Sequence, residues 1–346
     1  MGIYICFIVL MFIVLCYVKK EKYSIADFVA IIILICFSGF RYGIGTDYTM
    51  YENMYLNMDT ISMSIFRTGV GYYYLTYFLH LLIPNSATVL FFIISALTNI
   101  YIYKFCKENS INPGLSVFLY ITLGFYTTSF NIFRQMLSVA ILLYSYKFLN
   151  TNKYIKYVIF SILAISIHQS AIFVILLIVI FNKLWHKELN AKVMFIVGII
   201  IIISYNTVYL FLLKHITSIS VYSNSEEYSA GIGTYLQLII YGILFFIVNL
   251  KRRQIIKTNE NNLEYINLFN ISYIIMMAGI KNTLFMRMSN YLSIFIILLI
   301  PELYNIYNIK NKKLEKICFY ISCIIYFLVF IYSFGGVVPY VSIFTK

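Results

Sequence analysis

Charged residues are scarce in this sequence, and acidic residues are the scarcest of them. Only 11% of the 346 residues are charged, and 13 Asp and Glu stand against 26 Lys and Arg. An ordinary soluble domain carries about 25% charged residues, so the composition excludes that class. There is no CxxC pair, and the six cysteines lie in or at the ends of apolar runs, where they are expected to serve as small apolar residues.

Motifs of metal and nucleotide chemistry are missing as well. The four histidines are widely scattered, and the sequence contains no HExxH, no GxSxG and no phosphate-binding loop. We therefore expect no metal and no cofactor. The net charge of +13 does not indicate nucleic-acid binding, because the basic residues fall in short segments between apolar runs.

Apolar runs, in contrast, recur along the whole chain, and hydrophobic residues make up 62% of it. A run of about 20 such residues, with a lower limit near 17, spans a bilayer. The predicted fold is all-α, a single polytopic transmembrane domain over residues 1–346 with about 12 membrane-embedded helices. The predicted helices cover 2–18, 24–40, 87–103, 114–130, 135–149, 155–167, 169–181, 192–213, 234–250, 263–280, 288–306 and 317–334.

Two segments are predicted to depart from simple crossings. Segment 71–83 is short, aromatic and followed by Pro84, which favours a re-entrant or interfacial helix. The runs 155–167 and 169–181 are too short for two crossings at a rise of 1.5 Å per residue. They predict a broken hairpin that meets near His168, because irregular backbone is tolerated at membrane depth where protein surrounds it.

The distribution of lysine and arginine predicts the orientation. Nineteen of the 26 basic residues fall in one set of inter-helix loops, including KRRQIIK at 251–257. This set is predicted to be cytoplasmic. Both termini and two loops, 41–86 and 214–233, are then predicted to lie outside.

Arginine shows a second asymmetry. Four of the six arginines, Arg41, Arg67, Arg134 and Arg287, fall on the predicted outer side. The planar guanidinium binds phosphate or carboxylate through paired hydrogen bonds, and ionisable groups at membrane depth commonly mark function. Each arginine could instead reach lipid headgroups or pair with a local acid. We predict that Arg41, Arg134 and Arg287 form an anion site.

Other polar residues accompany these arginines. Gly43 and Gly45 permit tight turning after Arg41, and Asp47 either caps the next helix or serves as a base or hydroxyl anchor. His168 is either a hydrogen-bonded structural residue or a functional one at a helix break. The residues expected to position a substrate are Tyr48, Gln135, Gln169, Asn290 and Tyr291.

Four stretches, RYGIGTDY, FRQMLSVAILLYSYKF, IHQSAIF and FMRMSNYLSIF, occur in an order and spacing that resembles the EpsG family of Wzy-like polysaccharide polymerases. The resemblance covers roughly residues 37–300. One departure is FRTGVGYYYLTYF, which lacks the acidic residue that family members often carry before this glycine-aromatic stretch. The resemblance implies a multi-pass enzyme of a bacterial cytoplasmic membrane, with its active site toward the outer face.

Such enzymes join undecaprenyl-pyrophosphate-linked repeat units of O-antigen, capsule or exopolysaccharide. The residues found independently fit this chemistry: we predict that Arg41, Arg134 and Arg287 bind the donor pyrophosphate, and that His168 or Asp47 is the catalytic base. The expected partners are the lipid-linked donor and acceptor, membrane lipid, and the flippase and chain-length regulator of the same pathway.

Two other functions stay open at this point. A flippase or transporter of lipid-linked oligosaccharide would also need basic residues, but along the whole path and with internal repeats. A membrane ligase or acyltransferase of surface glycan would need a base poised for group transfer, and the acyltransferase would also need access to a cytoplasmic acyl donor.

Overall fold

The computed structural model describes residues 1–61, 69–180, 187–215, 231–333 and 335–345, and for 205–215 the backbone alone. Within these ranges the protein has 17 α-helices and no β-strand, so the predicted all-α class is confirmed. Arg67 and residues 216–230 of the predicted outer loop 214–233 lie outside the described residues. The chain divides into two compact units.

The first unit comprises residues 1–177 and 311–346. Its core is formed by α5 to α8, and every residue of α6 and α7 is buried. Helix α5 packs against α2 and α8, and α8 packs against α9. The helices of this unit are α1 (Gly2–Leu15), α2 (Ile25–Gly39), α3 (Tyr48–Leu56), α4 (Val70–Leu82), α5 (Thr88–Asn109), α6 (Pro113–Thr122), α7 (Phe125–Asn131), α8 (Phe133–Asn150), α9 (Tyr154–Ile167), α10 (Ala171–Ile180, ending in the second unit) and α17 (Lys313–Ser333).

The second unit comprises residues 178–310. Helix α14 packs against α11, α12 and α15 and therefore forms the centre of this unit. Its helices are α11 (Ala191–His215), α12 (Ile232–Leu250), α13 (Arg252–Thr258), α14 (Asn262–Ala278), α15 (Thr283–Ser293) and α16 (Ile296–Ile306).

Local chemistry explains where several helices begin. The backbone N–H and the hydroxyl of Ser24 both donate to the Asp27 carboxylate in the first turn of α2. The side chain of Asn112 accepts from the Leu115 amide, and Pro113 occupies the first position of α6. Such caps satisfy amides that have no partner within the helix.

Two predicted spans are interrupted. The predicted span 114–130 divides into α6 and α7 at Gly124, whose φ of 87° lies in the left-handed region. A Cβ at this glycine would lie 2.3 Å from the Phe330 ring, so packing also requires glycine here. The predicted span 288–306 divides into α15 and α16, which are bent by 56°.

The protein is a helical membrane protein, but its helices do not reproduce 12 clear spans. Among the described residues, three helices are long and apolar enough to cross a membrane, namely α5, α12 and α17, and the bent pair α15–α16 would make a fourth. Five further apolar helices, α1, α2, α6, α9 and α10, have 10–17 residues, and so does Ala191–Ser204, the part of α11 whose side chains are described. The count differs from the prediction partly because unpredicted breaks, at Gly124 and between α15 and α16, divide two of the predicted spans.

Candidate active site

The loop after α2, with the sequence RYGIGTDY, is held by two distant parts of the chain. The Tyr42 amide donates to the Val341 carbonyl at 2.9 Å, and the Gly45 amide donates to the Gly336 carbonyl at 2.8 Å. The Thr46 amide donates to the side chain of Asn131 at 2.9 Å. The C-terminal segment 335–345 and the end of α7 thereby fix the loop.

Two glycines allow this loop to turn. Gly43 and Gly45 have φ values of 62° and 105°, which other residues adopt only with strain. A Cβ at Gly45 would lie 2.5 Å from the Phe130 carbonyl oxygen, whereas a Cβ at Gly43 would have no neighbour within 4 Å. The close approach at Gly45 therefore brings the loop against α7.

Arg41, at the start of this loop, is 2% exposed. Its Nη1 donates to the Ser38 carbonyl at 2.5 Å and its Nη2 to the Phe130 carbonyl at 3.5 Å. The guanidinium carbon lies 4.9 Å from the centre of the Phe91 ring and 5.0 Å from that of Phe130. Burial lowers the pKa of Arg41 to about 10, so the group is still cationic at neutral pH.

The space beside Arg41 is small. A cavity of about 10 Å³ lies among Arg41, Ser38, Ser95 and Thr98. This volume is about that of one water probe, and a phosphate group is larger. In this conformation protein atoms enclose the Arg41 guanidinium, which carries a buried positive charge.

Arg134 has a different environment at the start of α8. Its side chain is half-buried, and Nε donates to the Tyr51 hydroxyl at 3.0 Å. The guanidinium carbon lies 5.1 Å from the centre of the Tyr51 ring and 4.9 Å from that of Tyr72. We call Arg134, Tyr51 and Tyr72 the tyrosine clamp.

An aromatic cluster connects the clamp with the surroundings of Arg41. The Phe133 ring lies 4.2 Å from Tyr51 and 5.6 Å from Phe91, and Phe91 contacts Arg41. The loop after α2 and the start of α8 therefore belong to one region of the first unit.

His168 occupies the predicted break between α9 and α10. Its backbone is extended, with φ −149° and ψ 113°, and its Nδ1 lies 2.7 Å from the Ser170 hydroxyl. The imidazole is half-buried. The expected break is confirmed, and it holds the ring at a helix end with a hydroxyl partner.

The α8–α9 hairpin brings His168 and Arg134 to the same end of the unit. A short turn joins the two helices, and the Ser138 hydroxyl donates to the Ala164 carbonyl at 2.9 Å. Ser138 lies about one turn after Arg134, and Ala164 about one turn before His168. An antiparallel pair joined in this way places the start of α8 beside the end of α9.

Helix α4 closes the same region. A Cβ at Gly69 would lie 2.5 Å from the Ile167 carbonyl oxygen, and a Cβ at Gly71 would lie 2.2 Å from the Ser166 hydroxyl. The start of α4 thus packs directly against the end of α9, and Tyr72 follows at once in the clamp. The interfacial segment predicted over 71–83 is helical as α4, and its first turn supplies one wall of the candidate site.

Asp47 immediately precedes α3, but its carboxylate makes no capping hydrogen bond to that helix. The Thr46 hydroxyl donates to it at 3.0 Å, and the side chain is half-buried. Tyr48 is buried and stacks on Phe91 at 4.4 Å. Burial raises the pKa of Tyr48 to about 12, so this hydroxyl stays protonated.

The remaining predicted residues have varied surroundings. Gln135 is buried, whereas Gln169 is exposed. In the second unit, Arg287 is exposed on α15, Asn290 is half-buried and Tyr291 is buried. Asn282 accepts from the Leu284 amide at 2.9 Å and thereby fixes the start of α15, one turn before Arg287.

Sequence reasoning missed several residues that shape this region. Tyr51, Tyr72 and Asn131 contact Arg134 or the loop after α2, and the segment 335–345 crosses that loop. One signal was present: Tyr51 and Tyr72 lie in aromatic segments on the predicted outer side. The sequence alone does not indicate which of the 34 tyrosines reach an arginine.

Comparison with known proteins agrees with the resemblance of the sequence motifs. The model of the EpsG family matches residues 24–342, nearly the whole chain. No curated protein and no solved structure matches the chain. The match includes the loop after α2, the tyrosine clamp and the helix break at His168. The chain therefore belongs to the EpsG family.

Proposed function

We propose that this protein is a membrane glycosyltransferase that polymerises undecaprenyl-pyrophosphate-linked oligosaccharide repeat units on the outer face of a bacterial cytoplasmic membrane. The observation that carries the proposal is the tyrosine clamp. It holds a half-buried guanidinium at the same end of the first unit as His168 and near the loop that contains Asp47. Membership of the EpsG family supports the same function.

The reaction exchanges one bond at the donor sugar. The acceptor hydroxyl oxygen forms a bond to the anomeric carbon, and the bond from that carbon to the pyrophosphate oxygen breaks. The lipid pyrophosphate leaves with the electron pair, and the hydroxyl proton passes to a base. Preorganised donors near the leaving oxygen stabilise its growing negative charge.

Arg134 is the residue we place first at the leaving group. Its forked guanidinium suits phosphate, and the Tyr51 hydroxyl and the rings of Tyr51 and Tyr72 orient the side chain. Arg287 is proposed as a second contact from α15. Arg41 is proposed to contribute its buried charge, because its guanidinium is enclosed.

His168 and Asp47 are the two proposed bases. Histidine is the side chain that most often serves as a general base, and His168 presents a half-buried imidazole at the helix break. Asp47 is half-buried and accepts from Thr46. Tyr48, Gln135, Gln169, Asn290 and Tyr291 are proposed to position the sugars directly or through these residues.

Deletion of the gene, followed by gel analysis of surface glycan, tests the proposal. A polymerase deletion should leave single-repeat products at the surface. Loss of all surface glycan with intracellular accumulation would instead show a flippase. Unchanged polymer would overturn both functions.

Arginine-to-lysine variants in the complemented deletion strain test the anion site. Arg134→Lys should lower the polymerisation rate by about a hundredfold, because a point charge cannot reproduce paired hydrogen bonds in the transition state. Arg287→Lys is expected to lower it for the same reason, and Arg41→Lys because lysine cannot reproduce both hydrogen bonds to the Ser38 and Phe130 carbonyls. Polymer is measured by gel, with membrane levels checked by immunoblot.

The matched control is Arg253→Lys, at an exposed arginine that lies outside the proposed site. Its polymer should be unchanged. Normal polymer from the Arg134→Lys variant would show that paired hydrogen bonds from this residue are not needed.

A further inference from the structure

A second pocket lies in the second unit, between the start of α11 and the end of α12. Its volume is about 500 Å³, within the size range of sites for small molecules and cofactors. Aromatic rings of Phe195, Phe245 and Phe246 form much of its wall, and Asn190, Lys192 and Asn249 add polar groups. The pocket is thus apolar along its length, with a cation and two amides at the helix ends.

Hydrogen bonds fix both walls. The Asn190 side chain accepts from the Lys192 amide at 3.0 Å, at the start of α11. Arg252 donates to the Leu189 carbonyl and, at 3.1 Å, to Asn267, and so holds the segment before α11. Asn249 exchanges two hydrogen bonds with Asn270, at 2.9 and 3.0 Å. The polar end of the pocket is therefore built before a ligand arrives.

The chain around this end is strongly basic. Residues 187–192 and 251–257 contain six lysines and arginines and a single acid, Glu188. Lys192 lines the pocket and is exposed. A ligand with a negatively charged head would complement this end, because basic residues near a membrane surface attract anionic lipid.

The position of the pocket, at the end of an apolar helix, also favours a lipid ligand. Helix α12 is one of the helices long and apolar enough to cross a membrane, and it ends at Leu250, directly before Lys251, Arg252 and Arg253. The transition from apolar to basic residues marks the boundary between hydrocarbon and headgroups. Phe246 and Leu250 are 53% and 81% exposed and would face acyl chains there.

We propose that this pocket binds one anionic phospholipid. The phosphate of the headgroup lies at Lys192 and Asn190, and an acyl chain follows Phe195 and Phe246. A zwitterionic phospholipid would bring a cation to the same basic end and bind less well. This site is separate from the proposed polymerisation chemistry and does not depend on it.

Native mass spectrometry of the whole protein, reconstituted with equal amounts of phosphatidylglycerol and phosphatidylcholine, tests the proposal. The wild type should retain phosphatidylglycerol about fivefold better, the effect of roughly one basic residue near an anionic surface. Lys192→Gln should abolish this preference. Lys156→Gln, at an exposed lysine of the first unit, should leave it unchanged.

A filling variant provides an independent measurement if Lys192→Gln fails to fold. Ala191→Trp places a ring inside the pocket and should expel the lipid while all charges remain. The control is Val193→Trp, which should retain lipid. Val193 lies two residues further along α11, is exposed and does not line the pocket.

Three outcomes would overturn the proposal. Equal retention of the two lipids by the wild type would show an ordinary lipid-facing groove. Retention of phosphatidylglycerol by both Lys192→Gln and Ala191→Trp would place the lipid elsewhere. A dimer that dissociates in Ala191→Trp, without bound lipid in the wild type, would show that a second copy of the chain fills the pocket.

Discussion

The two ends of α2 hold their cations in opposite ways. At its start, the Lys107 ammonium lies 2.7 Å from the Asp27 carboxylate, and the two side chains are 4% and 1% exposed. At its end, about 20 Å away for a helix of 15 residues, Arg41 meets carbonyl oxygens and phenyl rings. The first cation is neutralised where it lies, and the second keeps its charge.

At the start of α2, the Lys107 ammonium and the Asp27 carboxylate each have several hydrogen-bond partners. Besides Asp27, Lys107 donates to the carbonyls of Lys19 and Lys22. Asp27 also accepts from the Tyr103 hydroxyl at 2.8 Å and from Ser24. Nothing in this arrangement calls for a ligand, so we assign it to stability.

At the end of α2, in contrast, carbonyl oxygens and phenyl rings hold the Arg41 guanidinium. These neutral groups compensate only part of the charge of Arg41, while the Tyr51 hydroxyl and two ring faces orient the neighbouring Arg134. Arg41 therefore contributes a buried positive charge, which would attract the anionic group of the proposed substrate. The role of a buried cation therefore depends on its contacts: Lys107 contacts a carboxylate, whereas Arg41 contacts carbonyl oxygens and rings.

The largest expected effect comes from breaking the neutralised pair. Asp27→Asn leaves the Lys107 ammonium buried without a countercharge and should destabilise the protein by about 4 kcal/mol. Thermal or denaturant unfolding in detergent measures it. Polymer made by each folded molecule should stay normal, because this pair lies at the end of α2 away from the proposed site.

The matched control for Asp27→Asn is an exposed pair on the same unit. Lys147 and Glu108 lie 2.9 Å apart, with side chains 30% and 39% exposed. Glu108→Gln should cost less than about 0.5 kcal/mol. Similar losses in the two variants would contradict the assignment of Asp27 and Lys107 as a buried, stabilising pair.

A smaller effect is expected from the glycines of the loop after α2. Gly45→Ala should cost about 3 kcal/mol, because its φ of 105° is strained for alanine and its Cβ would meet the Phe130 carbonyl at 2.5 Å. Gly43→Ala, with φ of 62° and open space, should cost only about 1 kcal/mol. Unfolding measurements on both variants compare the two sites.

Measuring polymer also distinguishes the Gly45→Ala variant from the Gly43→Ala variant. The Gly45 variant should also reduce polymer per folded molecule, because the loop carries Asp47 and borders Arg41. Equal stability of the two alanine variants would show that the loop is not pressed against α7.

Much of the helical structure could be predicted from the sequence. The predicted runs 24–40, 234–250 and 263–280 correspond to Ile25–Gly39, Ile232–Leu250 and Asn262–Ala278. These bounds follow from local apolar patterning and from caps, which are properties of neighbouring residues. The helix break at His168 follows from two runs that are each too short to cross.

Other features depend on contacts between distant residues. The predicted helix 87–103 extends in the structure to Asn109. Its last turns include Lys107, whose ammonium forms an ion pair with Asp27 of α2. The break at Gly124 depends on the Phe330 ring, more than 200 residues away. The tyrosine clamp likewise joins α3, α4 and α8, and no local pattern encodes such a meeting.

The smallest effect tests the clamp itself. Tyr51→Phe keeps the ring beside Arg134 and its contact with Phe133, but removes the hydroxyl that accepts from Arg134 Nε at 3.0 Å. The loss of one such hydrogen bond is worth about 1 kcal/mol. If it positions the guanidinium for the leaving group, the polymerisation rate should fall about fivefold. Tyr55→Phe is the control, because its hydroxyl donates to the Ile83 carbonyl, outside the clamp.

A double variant separates positioning from stability. Lysine has no Nε donor, so Tyr51→Phe should have little further effect on polymer when Arg134 is already replaced by lysine. The rates of the wild type, the two single variants and the double variant complete the cycle, each normalised to membrane level. If Tyr51→Phe lowered the rate equally in both backgrounds, its hydroxyl would act independently of Arg134, and the clamp would lose its assigned role.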